Sequence, residues 1–207
     1  LPALAQDLGR PVKWIEDRRE HFLTTTQERD QIWDVSIAVD NDGKILGLRG
    51  RLAHDTGAYL PWGIITPYIS TTTIAGPYIV PTFKFDTTVI FTNKPPTTPL
   101  RGAGRPQAVF AMERTLDLVA EKLHLNKAEI RRRNLIPASS MPYQMGLIFR
   151  DGAPVVYDSG DYPACQAMAL EGCDYTGFAE RQKAARAEGR YIGIGIANAV
   201  EGTGLGP

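Results

Sequence analysis

Val35, Ile37 and Val39 alternate with Asp34, Ser36 and Ala38, a period of two that predicts a strand with one face toward a core. Asp40-Asn41-Asp42-Gly43-Lys44 then reads as a turn, and Ile45 to Ala53 as a second strand. Asp-Gly between two such runs is a strong hairpin signal. The same period returns at Phe83, Phe85, Thr87, Val89 and Phe91, until Pro95-Pro96 stops it. These runs predict antiparallel β-structure in the first half. A further strand is expected from Pro11-Val12-Lys13-Trp14-Ile15, after a helical tail, Leu1 to Leu8, closed by Gly9. The stretch from Thr56 to Pro81, rich in Gly, Pro and Thr, reads as a packed loop or short helices.

The period then changes. From Pro106 onward, Val109, Met112, Leu116, Val119, Ala120 and Leu123 recur at helical spacing, which predicts a long amphipathic helix. Pro106 suits its first turn, where a missing N–H costs nothing. Asn126 with Glu129 three residues later predicts a capped second helix ending near Leu135. Its triplet Arg131-Arg132-Arg133 reads as a face turned to water. Residues 136–160 are expected to be loop with one short strand near Leu147 to Phe149. Helices over roughly 161–171 and 175–188 follow, then a strand from Tyr191 to Ala199 and a terminal Gly-rich loop. Strands grouped before helices make this an α+β chain. Both ends read as cuts through a longer polypeptide.

Charge changes this picture little. Lys+Arg and Asp+Glu each number 23, so the formal net charge is zero. That leaves no electrostatic footprint for nucleic acid or an anionic membrane. The apolar stretches are too short and broken to span a bilayer, and the first residues do not form a signal peptide. Cys165 and Cys173 are too few for a disulfide scaffold or zinc site and read as small buried side chains. His21, His54 and His124 lack metal-ligand spacing and read as surface or packing residues. The class expected is an ordinary cytoplasmic protein.

Candidate chemistry gathers between Lys94 and Gln107. A strand ends, a Pro-stiffened loop follows, and Arg101-Gly102-Ala103-Gly104-Arg105-Pro106-Gln107 opens the long helix. A helix N-terminus presents unpaired N–H groups and the positive end of its dipole, a ready anion site. Glycines let a ligand approach the backbone, and arginines can clamp phosphate, carboxylate or a planar heterocycle. The plainer reading is a helix-opening turn whose arginines satisfy local carbonyls, and both stay open. The turn is neither a Walker loop nor a dinucleotide fingerprint, since the residues those motifs require do not follow. Glu201, the only carboxylate inside the terminal Gly-rich loop, is a further polar candidate.

Several stretches taken together resemble the molybdenum-binding large subunit of the xanthine dehydrogenase/aldehyde oxidase family of molybdenum hydroxylases. They are Gly9-Arg10-Pro11-Val12-Lys13-Trp14 with Arg19-Glu20, Asp55-Thr56-Gly57-Ala58-Tyr59, and Gly76-Pro77-Tyr78-Ile79-Val80-Pro81. The turn Arg101 to Gln107, with its helix and Arg132-Arg133-Asn134, is similar to the family's R-G-x-G-x-P-Q signature. The resemblance implies a first molybdopterin-binding region over 1–135, with connecting helices and the start of a second region over 136–207. It implies hydroxylation of an activated carbon with water as oxygen source, on a molybdenum held by molybdopterin cytosine dinucleotide. Electrons would leave through [2Fe-2S] clusters of a small subunit to FAD on a medium subunit. Arg101 would stand beside the molybdenum without ligating it, with Gly102 and Gly104 against the cofactor. Ala103, Ile69 and Glu201 would line the substrate pocket. The base glutamate and the rest of the cofactor site would come from the remainder of the large subunit.

The departures narrow the expectation. Purine-oxidising members carry Phe where Ala103 stands and Arg where Ile69 stands, so xanthine is not expected. Carbon-monoxide-oxidising members place Cys directly after the matching Arg, where this chain has Gly102. An aldehyde or N-heteroaromatic substrate fits better. Two other functions stay open: a non-enzymatic binding or assembly domain of the same descent, and a binding module that uses the turn only as an anion site.

Overall fold

A computed structural model describes residues 1–60, 62, 64–149 and 151–202 of the chain. The alternation at Val35 to Val39 is strand β1 (Gln31–Val39), whose odd-numbered residues are half-buried and even-numbered ones exposed. Asp40 closes the turn after it by accepting from the backbone of Asp42 and Lys44, with Gly43 at φ 80°. Strand β2 (Ile45–Gly57) returns antiparallel, pairing Ile37 with Leu48 and Gln31 with His54. The expected hairpin is therefore present.

The third strand, β3 (Phe83–Phe91), pairs differently from the expectation. It lies parallel to β2, with Leu48 opposite Phe83 and His54 opposite Val89, giving the order β1-β2-β3. The cause is the segment between them. Instead of a turn it holds a helix, α1 (Ile65–Thr73), which carries the chain back along the sheet before β3 begins. Parallel neighbours require such a crossover.

Helix α2 (Arg105–Leu123) covers the sheet beside α1. Ile45, Leu48, Ile74, Tyr78, Met112 and Leu116 form the main core between sheet and helices. Helix α3 (Lys127–Asn134) starts at Asn126, whose side chain accepts from Ala128 N and Glu129 N. It is pinned to the hairpin by Asn134, which accepts from Ile45 N and donates to the carbonyls of Gly43 and Ile130. Beyond it lie a small hairpin, β4 (Tyr143–Ile148) with β5 (Pro154–Tyr157), and helices α4 (Tyr162–Gly172) and α5 (Phe178–Ala187).

The α+β class holds, and several local expectations are corrected. Residues 11–15 are irregular, with Trp14 and Ile15 exposed, because no strand among the described residues lies beside them. They lead to a short helix, Arg18–Thr24, started by a reciprocal cap in which Asp17 accepts from Glu20 N and Glu20 from Asp17 N. A helix over Pro2–Leu8 does end on a left-handed Gly9, as the sequence suggests. Residues 191–199 form no strand, again for want of a neighbouring strand among the described residues. The expected Gly-rich continuation over 203–207 lies outside the described residues. Cys165 and Cys173 are exposed, because α4 turns Gln166 rather than Cys165 inward.

The largest correction concerns Arg131. It is fully buried rather than solvated. Its Nε donates to Glu113 Oε2 at 2.6 Å, and Nη2 to Asp117 Oδ1 at 2.9 Å and the Glu113 carbonyl at 3.0 Å. Helical spacing explains it: Ala128, Arg131 and Asn134 share the face of α3 that packs on α2. Only Arg132 and Arg133 behave as expected, gripping Glu129 at the surface. The buried cluster extends further. Glu113 accepts from Tyr78 Oη at 2.5 Å, and Asn198 donates to both Tyr78 Oη and Gln166 Oε1. Burial pushes the Glu113 carboxyl above its ordinary range despite the Arg131 charge.

Candidate functional site

The loop after β3 is stitched to its surroundings before it reaches the signature turn. Thr97 donates its hydroxyl to the Asp55 carbonyl and its N–H to the Thr56 carbonyl, while Thr98 N reaches Gln27 O. Lys94 bridges Asp30 at 2.6 Å and Asp55 at 2.9 Å. Burial alone would raise the Asp55 carboxyl. Hydrogen bonds from Lys94, Thr92 and the Gly57 N–H outweigh it, with the Lys94 charge, and bring it down to about 2. A carboxyl depressed in the folded state stabilises fully above its ordinary range and loses that contribution as pH falls through the folded value. Unfolding midpoints measured between pH 5 and about pH 2 are therefore expected to drop less steeply in Asp55→Asn than in the parent chain.

The turn itself is left-handed at three successive residues, with φ 97° at Gly102, 45° at Ala103 and 97° at Gly104. It is closed by Ala103 N to Leu100 O and Arg105 N to Gly102 O. The sequence suggests that the glycines leave room for a ligand. The structure gives that room to the protein. A Cβ on Gly104 would stand 2.4 Å from the Thr66 carbonyl and 2.7 Å from Ser70 Oγ, and one on Gly102 would meet the Pro106 ring at 2.8 Å.

Ser70 Oγ donates to the carbonyls of Gly104 and Thr66 and accepts from Gln31 Nε2 at 3.0 Å. The orientation of Gln31 is fixed because Trp33 Nε1, which can only donate, takes Gln31 Oε1. Gln31 Nε2 therefore also donates to His54 Nδ1, 3.3 Å away. Burial holds the His54 ring below its ordinary pKa against the pull of Asp55, Asp30 and Glu28, consistent with a neutral imidazole accepting at Nδ1. His54 is thus a packing residue that braces the turn from behind.

Arg101 is exposed and forms no ion pair with any described residue. Gly102 and Ala103 are half-buried and Gly104 buried. Ile69 is buried on α1, one residue before the Ser70 that grips Gly104, and neighbouring side chains on a helix turn to different faces. Glu201 reaches the start of α2 from far along the chain: its Oε1 lies 3.2 Å from Nη1 of Arg105. The Arg105 guanidinium is buried and lies 5.9 Å from the Phe149 ring centre. Arg105, Phe149, Tyr157, Tyr162 and Glu201 line a cleft of about 590 Å³. Of these, Phe149 and Tyr157 gave no sequence signal, because only the β4–β5 hairpin turns them toward the helix start.

The donor set at the turn is coherent. Among the described residues, the N–H groups of Gly102, Gly104 and Gln107 meet no protein acceptor, and Arg101, one residue before Gly102, is exposed and makes no ion pair. Such a set suits an anionic, oxygen-rich group. No helix among the described residues is long and apolar enough to cross a membrane.

The sequence profile of the molybdopterin cofactor-binding domain matches residues 1–135. Over 98% of its length the chain is 37% identical to the 6-hydroxypseudooxynicotine dehydrogenase complex subunit gamma of Paenarthrobacter nicotinovorans, covering 25% of that protein. It is also 37% identical to the carbon monoxide dehydrogenase large chain of Hydrogenophaga pseudoflava, over 97% of this chain and 25% of that one. Among solved structures, the quinoline 2-oxidoreductase of Pseudomonas putida 86 superposes with a TM-score of 0.80 at 35% identity, over 94% of this chain and 24% of that one. The chain spans about a quarter of the length of these relatives.

Proposed function

This chain belongs to the molybdopterin cofactor-binding domain family of molybdenum hydroxylase large subunits, and we propose that it forms one wall of a molybdopterin site that hydroxylates an N-heteroaromatic or aldehyde carbon with water as oxygen source. The observation that carries the reading is the turn at the start of α2. Its N–H groups and Arg101, without partners among the described residues, are chemically matched to an anionic cofactor. When bound, the molybdenum centre supplies the two-electron redox chemistry and delivers oxygen drawn from water.

The residues of this chain bind and orient. Arg101, with the N–H groups of Gly102 and Gly104, would hold the cofactor and offset negative charge in a site screened from water. Ser70, Gln31 and His54 keep the turn in its left-handed form, so that these donors are set before the cofactor arrives. Ala103 is small and half-buried, and Ile69 apolar and buried within the described residues, where purine-oxidising members carry Phe and Arg; both are assigned to the substrate side. Glu201, steadied by Arg105, adds a carboxylate at the rim. The base glutamate and the remaining cofactor contacts are assigned to the rest of the large subunit. We assign the cofactor form to the cytosine dinucleotide, and electron transfer to [2Fe-2S] and FAD partner subunits in a cytoplasmic complex. A named gamma subunit among the relatives supports a multi-subunit assembly.

An N-heteroaromatic is the favoured substrate class. The small side chain of Ala103 would leave room for a fused ring, and relatives are named for nicotine and quinoline. Gly102 offers no thiol for the copper of a carbon-monoxide site.

Two variants of the complete enzyme test this. Arg101→Ala is expected to lower molybdenum content and kcat/KM together while stability stays within about 0.5 kcal/mol, the usual effect of an exposed substitution. Unchanged metal and turnover would remove the turn from the active site. Ala103→Phe is expected to lower kcat/KM for bulky heteroaromatics by more than for small aldehydes, since overpacking costs about 1–3 kcal/mol. Equal losses across a size series would show that residue 103 does not line the pocket.

A further inference from the structure

On the side of the molecule where β1 is the edge strand, the sheet is incomplete. One edge of β1 pairs with β2, and no described strand pairs with the other. Beside that edge β1 and α2 enclose an open groove of about 660 Å³, walled by Trp33, Val35, Phe110, Ala111 and Leu118. Its apolar walls are unusually bare: Phe110 is 71% exposed and Leu118 51%. Gln107 also lines it, 8% exposed, with neither its amide oxygen nor its amide nitrogen hydrogen-bonded to any described group.

Three unmet needs meet here. An edge strand wants a backbone in register, since only another main chain offers alternating N–H and C=O groups at strand spacing. The exposed aromatic and leucine want apolar side chains. The Gln107 amide wants one acceptor and one donor, which a single peptide group supplies. Arg29 and Arg114 at the rim are already balanced by Glu28, Asp117 and Glu121, so the groove does not call for a strongly charged ligand.

We propose that this groove receives an extended segment of the same large-subunit polypeptide, lying alongside β1 as a further strand and turning alternate apolar side chains onto Phe110 and Leu118. The proposal rests on the reading that the chain is part of a longer subunit, for which the quarter-length match to the relatives is the support. The remaining length of such a subunit supplies the occupant at high effective concentration. A strand on a separate subunit would have to leave this apolar face bare before assembly, which invites aggregation.

The test uses the complete enzyme complex with the photo-reactive residue p-benzoylphenylalanine introduced as Phe110→p-benzoylphenylalanine and, separately, at Thr115, which lines the same groove. Irradiation is expected to join either position to a peptide of the large subunit itself with apolar residues at every second position. Hydrogen exchange is expected to show both sets of β1 amides protected equally. Cross-links only to another subunit, or none from either position, would overturn the proposal, as would fast exchange confined to one set of β1 amides. Molybdenum content is measured on the same samples. A same-chain cross-link without molybdenum would leave the docked strand standing and the proposed activity fallen.

Discussion

Arg131→Ala is expected to destabilise the chain by about 3–5 kcal/mol, the usual cost of removing one partner of a buried ion pair. That is a large share of the roughly 5–15 kcal/mol by which domains are stable. The loss would not be the contact alone. Without the guanidinium, the Glu113 carboxylate remains buried with only Tyr78 Oη and the Asn198 backbone N–H beside it, and Asp117 loses its inner partner. The Glu113 carbonyl and the Lys127 carbonyl each lose a donor as well. Urea unfolding and soluble yield are the measurements, with Arg132→Ala, whose side chain is exposed, as the control. A triple replacement, Arg131→Met with Glu113→Leu and Asp117→Leu, is expected to recover much of the loss, because the penalty lies in the unpaired charge. An Arg131→Ala loss no larger than that of Arg132→Ala would show that the cluster is not closed in solution.

Gly104→Val is the second large effect. A non-glycine residue at φ 97° is strained by about 1–3 kcal/mol. The added Cβ also has nowhere to go, since at 2.4 Å from the Thr66 carbonyl it meets backbone rather than a yielding side chain. Helix α1 must move away from the turn, breaking the bond from Ser70 Oγ to Gly104 O and disturbing Gln31 behind it. Gly102→Val carries the same backbone strain but presses on the Pro106 ring, so both variants lose stability and Gly104→Val loses more. Molybdenum content and turnover of the complete enzyme should fall with the unfolding midpoint. A Gly104→Val protein with wild-type midpoint would contradict the packing of α1 on the turn.

What the sequence makes legible is local. The Asp40–Lys44 turn, the Asn126 cap, the long helix after Pro106 and the two later helices each carry their signal within a few residues, and each is found. The signature turn is legible for the same reason. The direction of β3 is not, because strand alternation is identical in parallel and antiparallel sheets, and only the helix hidden in a Thr-rich stretch decides between them. Arg131 is misread because a charge triplet looks solvated until its partners are known. Glu113 and Asp117, four apart on an otherwise apolar helical face, were the available hint. The reciprocal cap of Asp17 and Glu20 was a readable signal that the strand-like run before it obscured. At the site, Arg101 to Gly104 could be named from sequence, whereas the approach of Ser70, Phe149 and Glu201 depends on tertiary packing.

The parallel pairing of β2 with β3 also orders events in time. The β1–β2 hairpin closes through a five-residue turn, Asp40–Lys44, and such hairpins form in about 1–10 μs. Strand β3 has no such shortcut. It must wait until α1 has laid the chain back across the sheet, and the entropy of closing that excursion is spent before any of its contacts form. The Pro-rich loop and the signature turn hang from the end of β3, so their donors are set only after the slow step. In a refolding experiment, substitutions in the hairpin should then change the folding rate, while Gly104 variants should act mainly on unfolding. The cofactor would accordingly meet a wall finished late, on a sheet begun early.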